Sequence, residues 1–381
     1  MRWVINMHTH APLSLIATIL LVAVLGAVPA TALAAGTGET TMFHYNAQHT
    51  GDYSLVAGVC ASDGHLKWNY QTEGIVKSCP AVANGVVYVG SSDRNIYALN
   101  AETGKLVWSY ATGSPVESSP AVANGVVYVG SDDGNVYALN AKTGAKVWSY
   151  ATLAAVLSSP TIANRTIYVG GDDGNVYALN ATTGKKVWNY AARDAVWSSP
   201  AVANRIVYIG SWDGNVYALN ATTGKKVWNY TTYGHVDSSP AVANGVVYVG
   251  SHDGNVYALN AKTGAKVWSY ATQGYVDSSP AVVNGIIYVG SKDKNIYALN
   301  AKTGELMWSY STWGCADSSP IIANGVVYVG SNDHHIYALD AGTGAKLWSY
   351  MIGDSMASPA VANGIVYVGG GDHSIYALGK T

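Results

Sequence analysis

The sequence predicts an all-β fold, an eight-bladed β-propeller of four-stranded antiparallel blades, and three observations carry that prediction. Tryptophan recurs every 40 residues without a slip, at Trp68, Trp108, Trp148, Trp188, Trp228, Trp268, Trp308 and Trp348. Each period consists of short runs rich in Val and Tyr, punctuated by Asn-Gly, Asp-Gly and Thr-Gly, with no helical periodicity of useful length. The strands at the two ends of the chain are unequal in number and complementary. Self-similarity at such a period marks units that cannot bury their faces alone and must stack.

The elements follow in order within the copy at 118–150. "SSPAVA" is strand a, and Asn124-Gly125 supplies the positive-φ pair that a two-residue hairpin wants. "VVYVGS" is strand b, Asp133-Gly134 turns the chain, "NVYALN" is strand c, and "AKTG" leads into strand d, "AKVWSY". Val127, Tyr128 and Val129, like Val136 to Leu139, are apolar on both faces of the pleat. A sandwich sheet leaves one face wet, whereas a radial blade lies between two others. A lone d strand at 65–72 precedes seven full units, and a final a-b-c set ends at Leu378. The first strand therefore completes the last blade and leaves no open seam. The last copy is one residue short, within 351–359.

With 49% hydrophobic residues the chain can bury a large core, and its charge is sparse, 12% with a net of -2. Nucleic acid is not an expected partner, because displacing counterions from phosphates requires a basic surface. Residues 1–35 read as a signal peptide, with Arg2 before an apolar run from Leu13 to Val28 and Ala32-Leu33-Ala34 as a small-x-small cleavage pattern. The alternative is an anchor that is kept, although the run is shorter than the ~20 residues of a spanning helix. Residues 36–64 form a lead-in and 65–381 the propeller. Secretion or residence in the cell envelope follows. Cys60, Cys79 and Cys315 are too few and too scattered for a disulfide framework, a haem attachment or a zinc pair.

The stretch Ala-x-Thr-Gly-x-x-x-Trp, as in Ala101 to Trp108, resembles the tryptophan-docking motif of PQQ-type propeller repeats, and "MFHYNAQHTGDYS" (42–54) resembles their lead-in. WD repeats share the length but not the Trp-Asp and Gly-His signatures. The resemblance covers 42–381 and implies that the eight tryptophans dock neighbouring blades. It also brings in quinoprotein dehydrogenases, which hold pyrroloquinoline quinone and calcium with a vicinal disulfide that this chain lacks. The bare repeats are more similar to the non-catalytic BamB-like branch. The expectation is an exported scaffold, monomeric, without cofactor or small-molecule substrate, whose partner is a protein or an anionic surface of the envelope. A quinoprotein dehydrogenase and a glycan-binding or adhesive propeller are the alternatives.

Alternating strand direction places the d–a and b–c loops on one face, and that face carries the variation. Its d–a loops read Lys77, Glu117, Leu157, Trp197, Asp237, Asp277 and Asp317 at one position, and Ile75, Pro115, Ala155, Ala195, His235, Tyr275 and Cys315 two residues earlier. At the b–c turn Gly134, Gly174, Gly214 and Gly254 give way to Arg94, Lys294, His334 and His373 in blades 1, 6, 7 and 8, which ring closure makes contiguous. Lys292 and His335 join that arc, with Asp132 and Asp172 opposite. The predicted interaction face is thus Arg94, Lys292, Lys294, His334, His335, His373, Asp237, Asp277 and Asp317, against ordinary loop drift as the plainer reading. His235, His252 and Asp237 have the residue types of a metal site, but no metal is expected. Four Asn-x-Thr sequons, at Asn164, Asn180, Asn220 and Asn229, read first as turn asparagines of the repeat, with glycosylation as the alternative.

Overall fold

The computed structural model describes residues 42–44, 46–53, 63–353 and 357–380. The signal peptide, Cys60 and residues 354–356 of the shortened stretch lie outside the described residues. Among those described are thirty-two strands in eight four-stranded antiparallel sheets, an eight-bladed propeller. No helix among them is long and apolar enough to cross a membrane.

The first strand, His65–Gln71, pairs with the last, Ser374–Gly379, and so closes the ring. Its register runs from His65 opposite Gly379 to Gln71 opposite Ser374, with a bulge between Leu66 and Trp68. The bulge recurs between strands c and d of blades 1 to 7, for instance where Ala138 faces Trp148 and Leu139 faces Lys146. Each tryptophan at the bulge faces an alanine across the ladder, and its ring packs on the glycine of the next blade's turn.

Strand a is shorter than the sequence suggests, Ala121–Ala123 in blade 2, without Ser118, Ser119 and Pro120. Proline has no N–H to give a ladder, and the two serines bond to other partners. Ser118 Oγ accepts from Gly130 N at 3.0 Å, while Ser119 N donates to Ser159 Oγ of the next blade, also at 3.0 Å. The second bond repeats from blade to blade until Ser319 N reaches Ser358 Oγ, and Ser358 N returns to Cys79 Sγ at 3.2 Å. Cys79 N donates to Ser119 Oγ, so the hydrogen bonds form a closed belt around the axis in which one thiol replaces a hydroxyl. Burial pushes that thiol's pKa up, which keeps it protonated.

The core lies between blades. Tyr128, Val136 and Ala138 pack against Ile167, Val169 and Leu179 of the following blade, with Trp148 along the seam. Trp148 Nε1 and Tyr128 OH both donate to Ala181 O, at 3.0 and 3.1 Å. Trp68 and Tyr367 converge on Ala101 O in the same manner across the closure. The partner turn needs glycine. Gly144 has φ +71°, and a Cβ there would lie 2.8 Å from the Trp108 ring.

The lead-in crosses the inner strands. Val202 N and Val242 N donate to Ala47 O and Gln48 O, Val282 N to Thr50 O, and Ile322 N to Gly51 O. It therefore satisfies amides of blades 4 to 7 that strand b cannot reach. It also buries His44 and His49 completely. Phe43 stacks on His44 at 4.3 Å, and His49 Nε2 lies 3.0 Å from Thr161 Oγ1. Burial drives the His44 pKa down to about 4, and burial together with the neighbouring His44 takes His49 to about 3, so both are neutral at pH 7.

Candidate functional site

The varied face is framed by an aspartate in each b–c turn. Asp133 Oδ1 accepts from Asn135 N at 2.9 Å, and Oδ2 accepts from Tyr137 OH at 2.8 Å and from Gly113 N at 2.7 Å. This bracing holds the next residue at positive φ in every blade, 81° at Gly134 and 75°, 74°, 72° and 69° at Arg94, Lys294, His334 and His373. The turn keeps one geometry whatever its side chain, and the four non-glycine residues occupy a conformation that costs an L-residue roughly 1–2 kcal/mol. Arg94, Lys294 and His334 are exposed and His373 half-buried. Arg94, Lys294 and His373 take part in no ion pair among the described residues. His335 is turned back, its Nδ1 lying 2.9 Å from Asp333 O.

The acidic members of the expected face do meet their neighbours. His252 Nε2 lies 2.8 Å from Asp277 Oδ1 and 3.2 Å from Asp237 Oδ2, and Lys292 Nζ reaches Asp277 Oδ2 at 2.7 Å. Asn332 Nδ2 donates to Asp317 Oδ2 at 3.1 Å. The two carboxylates raise the His252 pKa to about 9, so the imidazolium is the form present at pH 7. Burial alone would raise Asp277, but His252 and Lys292 hold it below the usual carboxylate value. Asp317 is raised, mainly by burial. Asp237 Oδ1 and Asp317 Oδ1 are shielded from water without a hydrogen-bond partner, an arrangement that costs about 1–3 kcal/mol per group. On the other side Lys77 Nζ pairs with Glu117 Oε1 at 2.7 Å, and burial with the Glu117 charge pushes Asp132 up to about 6.

Asp237, His252 and Asp277 bring three ligand atoms within 4.8 Å of one another. His235, the second histidine of the sequence pattern, is not among them, because its Nδ1 contacts Trp212 O. The His252 proton and Lys292 balance the charge of the two carboxylates in an ion-pair network.

The sequence reading passed over a band of rings on this face. Trp197 and Trp212 have centroids 4.1 Å apart, Trp212 and His235 4.9 Å, and His235 meets His252 edge-on at 5.6 Å. His252 stacks parallel to Tyr275 at 4.9 Å, and Lys292 Nζ lies 5.8 Å over the Tyr275 ring. Trp197 is held by a 2.7 Å hydrogen bond from Nε1 to Asp172 Oδ1. A signal was legible: beyond residue 35, Trp197, Trp212 and Trp313 are the tryptophans outside the 40-residue register, and all three fall in loops of this face.

The family model described as outer membrane protein assembly factor BamB matches residues 29–119, 111–197 and 272–381. No curated protein matches the chain. Among solved structures, BamB from Moraxella catarrhalis is similar at 20% identity and a TM-score of 0.73, over 83% of this chain and 100% of that one. A europium-containing methanol dehydrogenase is similar at 16% identity and 0.78, over 91% and 99%. The quinohemoprotein alcohol dehydrogenase from Comamonas testosteroni is similar at 18% and 0.75, over 90% and 81%. At such identities the structural likeness shows the fold alone.

Proposed function

Because the chain belongs to the family of outer membrane protein assembly factor BamB, we propose that it is an exported, non-catalytic propeller that serves as a protein-interaction scaffold in the cell envelope. The observation that carries this reading is the asymmetry of the disc. One face repeats the same two turns, while the other concentrates the charged and aromatic departures from the repeat, including four strained, side-chain-bearing turns. Residues 1–35 serve as the export signal, 36–64 as the lead-in, and the protein acts as a monomer.

The partner surface includes Arg94, Lys292, Lys294, His334, His335 and His373, with Asp237, Asp277 and Asp317 beside them, while the eight docking tryptophans serve stability. Rim charges act mainly on encounter rate and salt sensitivity. Pull-downs from the envelope fraction at low and moderate salt, with Arg94, Lys292 and Lys294 changed to Gly or Ser, test it. An unchanged partner set with unchanged salt dependence refutes it.

The dehydrogenase reading has less support. The chain lacks adjacent cysteines, and Asp277 is already bonded to Lys292 and His252. Quinone-binding spectroscopy with added calcium tests that alternative directly.

A further inference from the structure

The rings on the loops of blades 4 to 6 are unequally buried, Trp197 and Trp212 in part and Tyr233 and Tyr275 little. Tyr233 is 95% exposed and Tyr275 53%, so neither gains much from folding. Seven register tryptophans, Trp68 to Trp308, by contrast lie between blades and bond to the next one. Aromatic side chains held in water on a rigid loop face, one of them pinned by Asp172, are placed to receive something.

Two adjoining grooves run beside this band. The first, of about 340 Å³ and widely open, is lined by Trp212, Tyr233, His235, Gly214 and Gly234. The second, of about 350 Å³, is lined by Arg193, Asn215, Lys226, Asn229 and Thr231. Asp213 borders both, so they meet at the b–c turn of blade 4 as one trough, which runs from the loop at 232–235 to strand d of blade 3 at Tyr190 and Ala191. Each is of the size that takes a small ligand. The first offers ring faces and the second a mixture of hydrogen-bond donors and acceptors that includes two cations.

We propose that this trough is a carbohydrate-binding site for an oligosaccharide carrying an acidic unit. A pyranose has an apolar face of C–H groups that stacks on an aromatic ring, and an equator of hydroxyls that donate and accept. The first groove meets the former and the second the latter. The guanidinium of Arg193 and the ammonium of Lys226 suit a carboxylate or sulfate substituent. A protein anchor is a poorer match, because the core of a protein interface is depleted in charged residues whereas Arg193, Asp213 and Lys226 line the trough. A nucleic acid is a poorer match still, since two cations on a chain of net charge -2 are too few to hold a phosphate backbone.

The experiment is binding of the full chain to a printed array of neutral, amino-sugar and uronate oligosaccharides, followed by titration of the retained compounds. Tyr233→Ala, which removes an exposed ring, should weaken binding at least tenfold with an unchanged melting temperature. Trp313→Ala, an equally exposed ring outside the trough (87%), should leave binding unchanged. Arg193→Gln with Lys226→Gln should remove the preference for acidic over neutral sugars and the salt dependence. Absence of any retained glycan, equal losses from Tyr233→Ala and Trp313→Ala, or capture of an envelope protein through Tyr233 without glycan binding would each overturn the proposal. Because the scaffold surface is tested through Arg94, Lys292 and Lys294, the two readings fail separately.

Discussion

Acidification should loosen the lead-in from the inner strands, and His44 and His49 set the size of the effect. Both are bases whose folded pKa, about 4 and about 3, lies below the unfolded value of 6.5. The unfolded chain therefore binds more protons as pH falls through 6.5. The stability these neutral imidazoles contribute is complete above that value and is lost progressively down to about pH 4 and 3. A pH of 5 lies about 1.5 units below the unfolded pKa and above both folded values, so at ~1.4 kcal/mol per unit the pair costs on the order of 4 kcal/mol. The groups around them, Phe43, the Thr161 hydroxyl and the Pro240 carbonyl, include no carboxylate that would offset the charge. Hydrogen exchange at Val202, Val242, Val282 and Ile322, whose amides donate to the lead-in, reads the local event. Urea unfolding at pH 7.5 and 5.0 reads the global one. The double variant His44→Leu/His49→Leu should lose about 4 kcal/mol less than the native chain between these pH values. An identical pH dependence in the two proteins, or unchanged protection of the four amides at pH 5, would refute the reasoning.

Other outcomes follow from the same geometry. His252, raised to about 9 by Asp237 and Asp277, contributes stability that is complete below about pH 6.5 and lost as pH rises through about 9; partial solvent screening reduces it to roughly 1 kcal/mol, and His252→Ala should flatten a thermal-melt profile over that range. Trp228→Ala removes an indole that donates to Ala261 O and covers Gly264; it should cost about 3–5 kcal/mol in chemical unfolding, and a loss below 1 kcal/mol would contradict the docking role. Deletion of residues 36–72 exposes the edge of Ser374–Gly379, so size-exclusion chromatography should show aggregate in place of a monodisperse peak. Lys294→Gly relieves a φ of 74° and should raise stability by about 0.5–1 kcal/mol, measured by differential scanning calorimetry.

The sequence by itself determined the ring. A 40-residue period, doubly apolar b and c strands and a spare d strand at the start leave one arrangement in which every blade is flanked and no seam stays open. Local pattern suffices there because each contact is between neighbouring repeats. It sufficed in part for the b–c turns, where Gly at four copies implied positive φ for Arg94, Lys294, His334 and His373. Only the structure showed that the Asp133-type brace keeps that geometry when glycine is absent.

What depends on groups from several blades was decided by tertiary structure. The extent of strand a followed from serines that bond across blades, and Cys79 proved to be a member of that belt. The lead-in found its place on four inner strands. His252 was drawn to two aspartates while His235 turned toward Trp212. The band from Trp197 to Tyr275 formed from residues up to 78 positions apart that the ring packs side by side. Period and composition record which residue types occur at a loop position. They do not record the rotation of each blade about the axis, and that rotation determines which loop side chains touch.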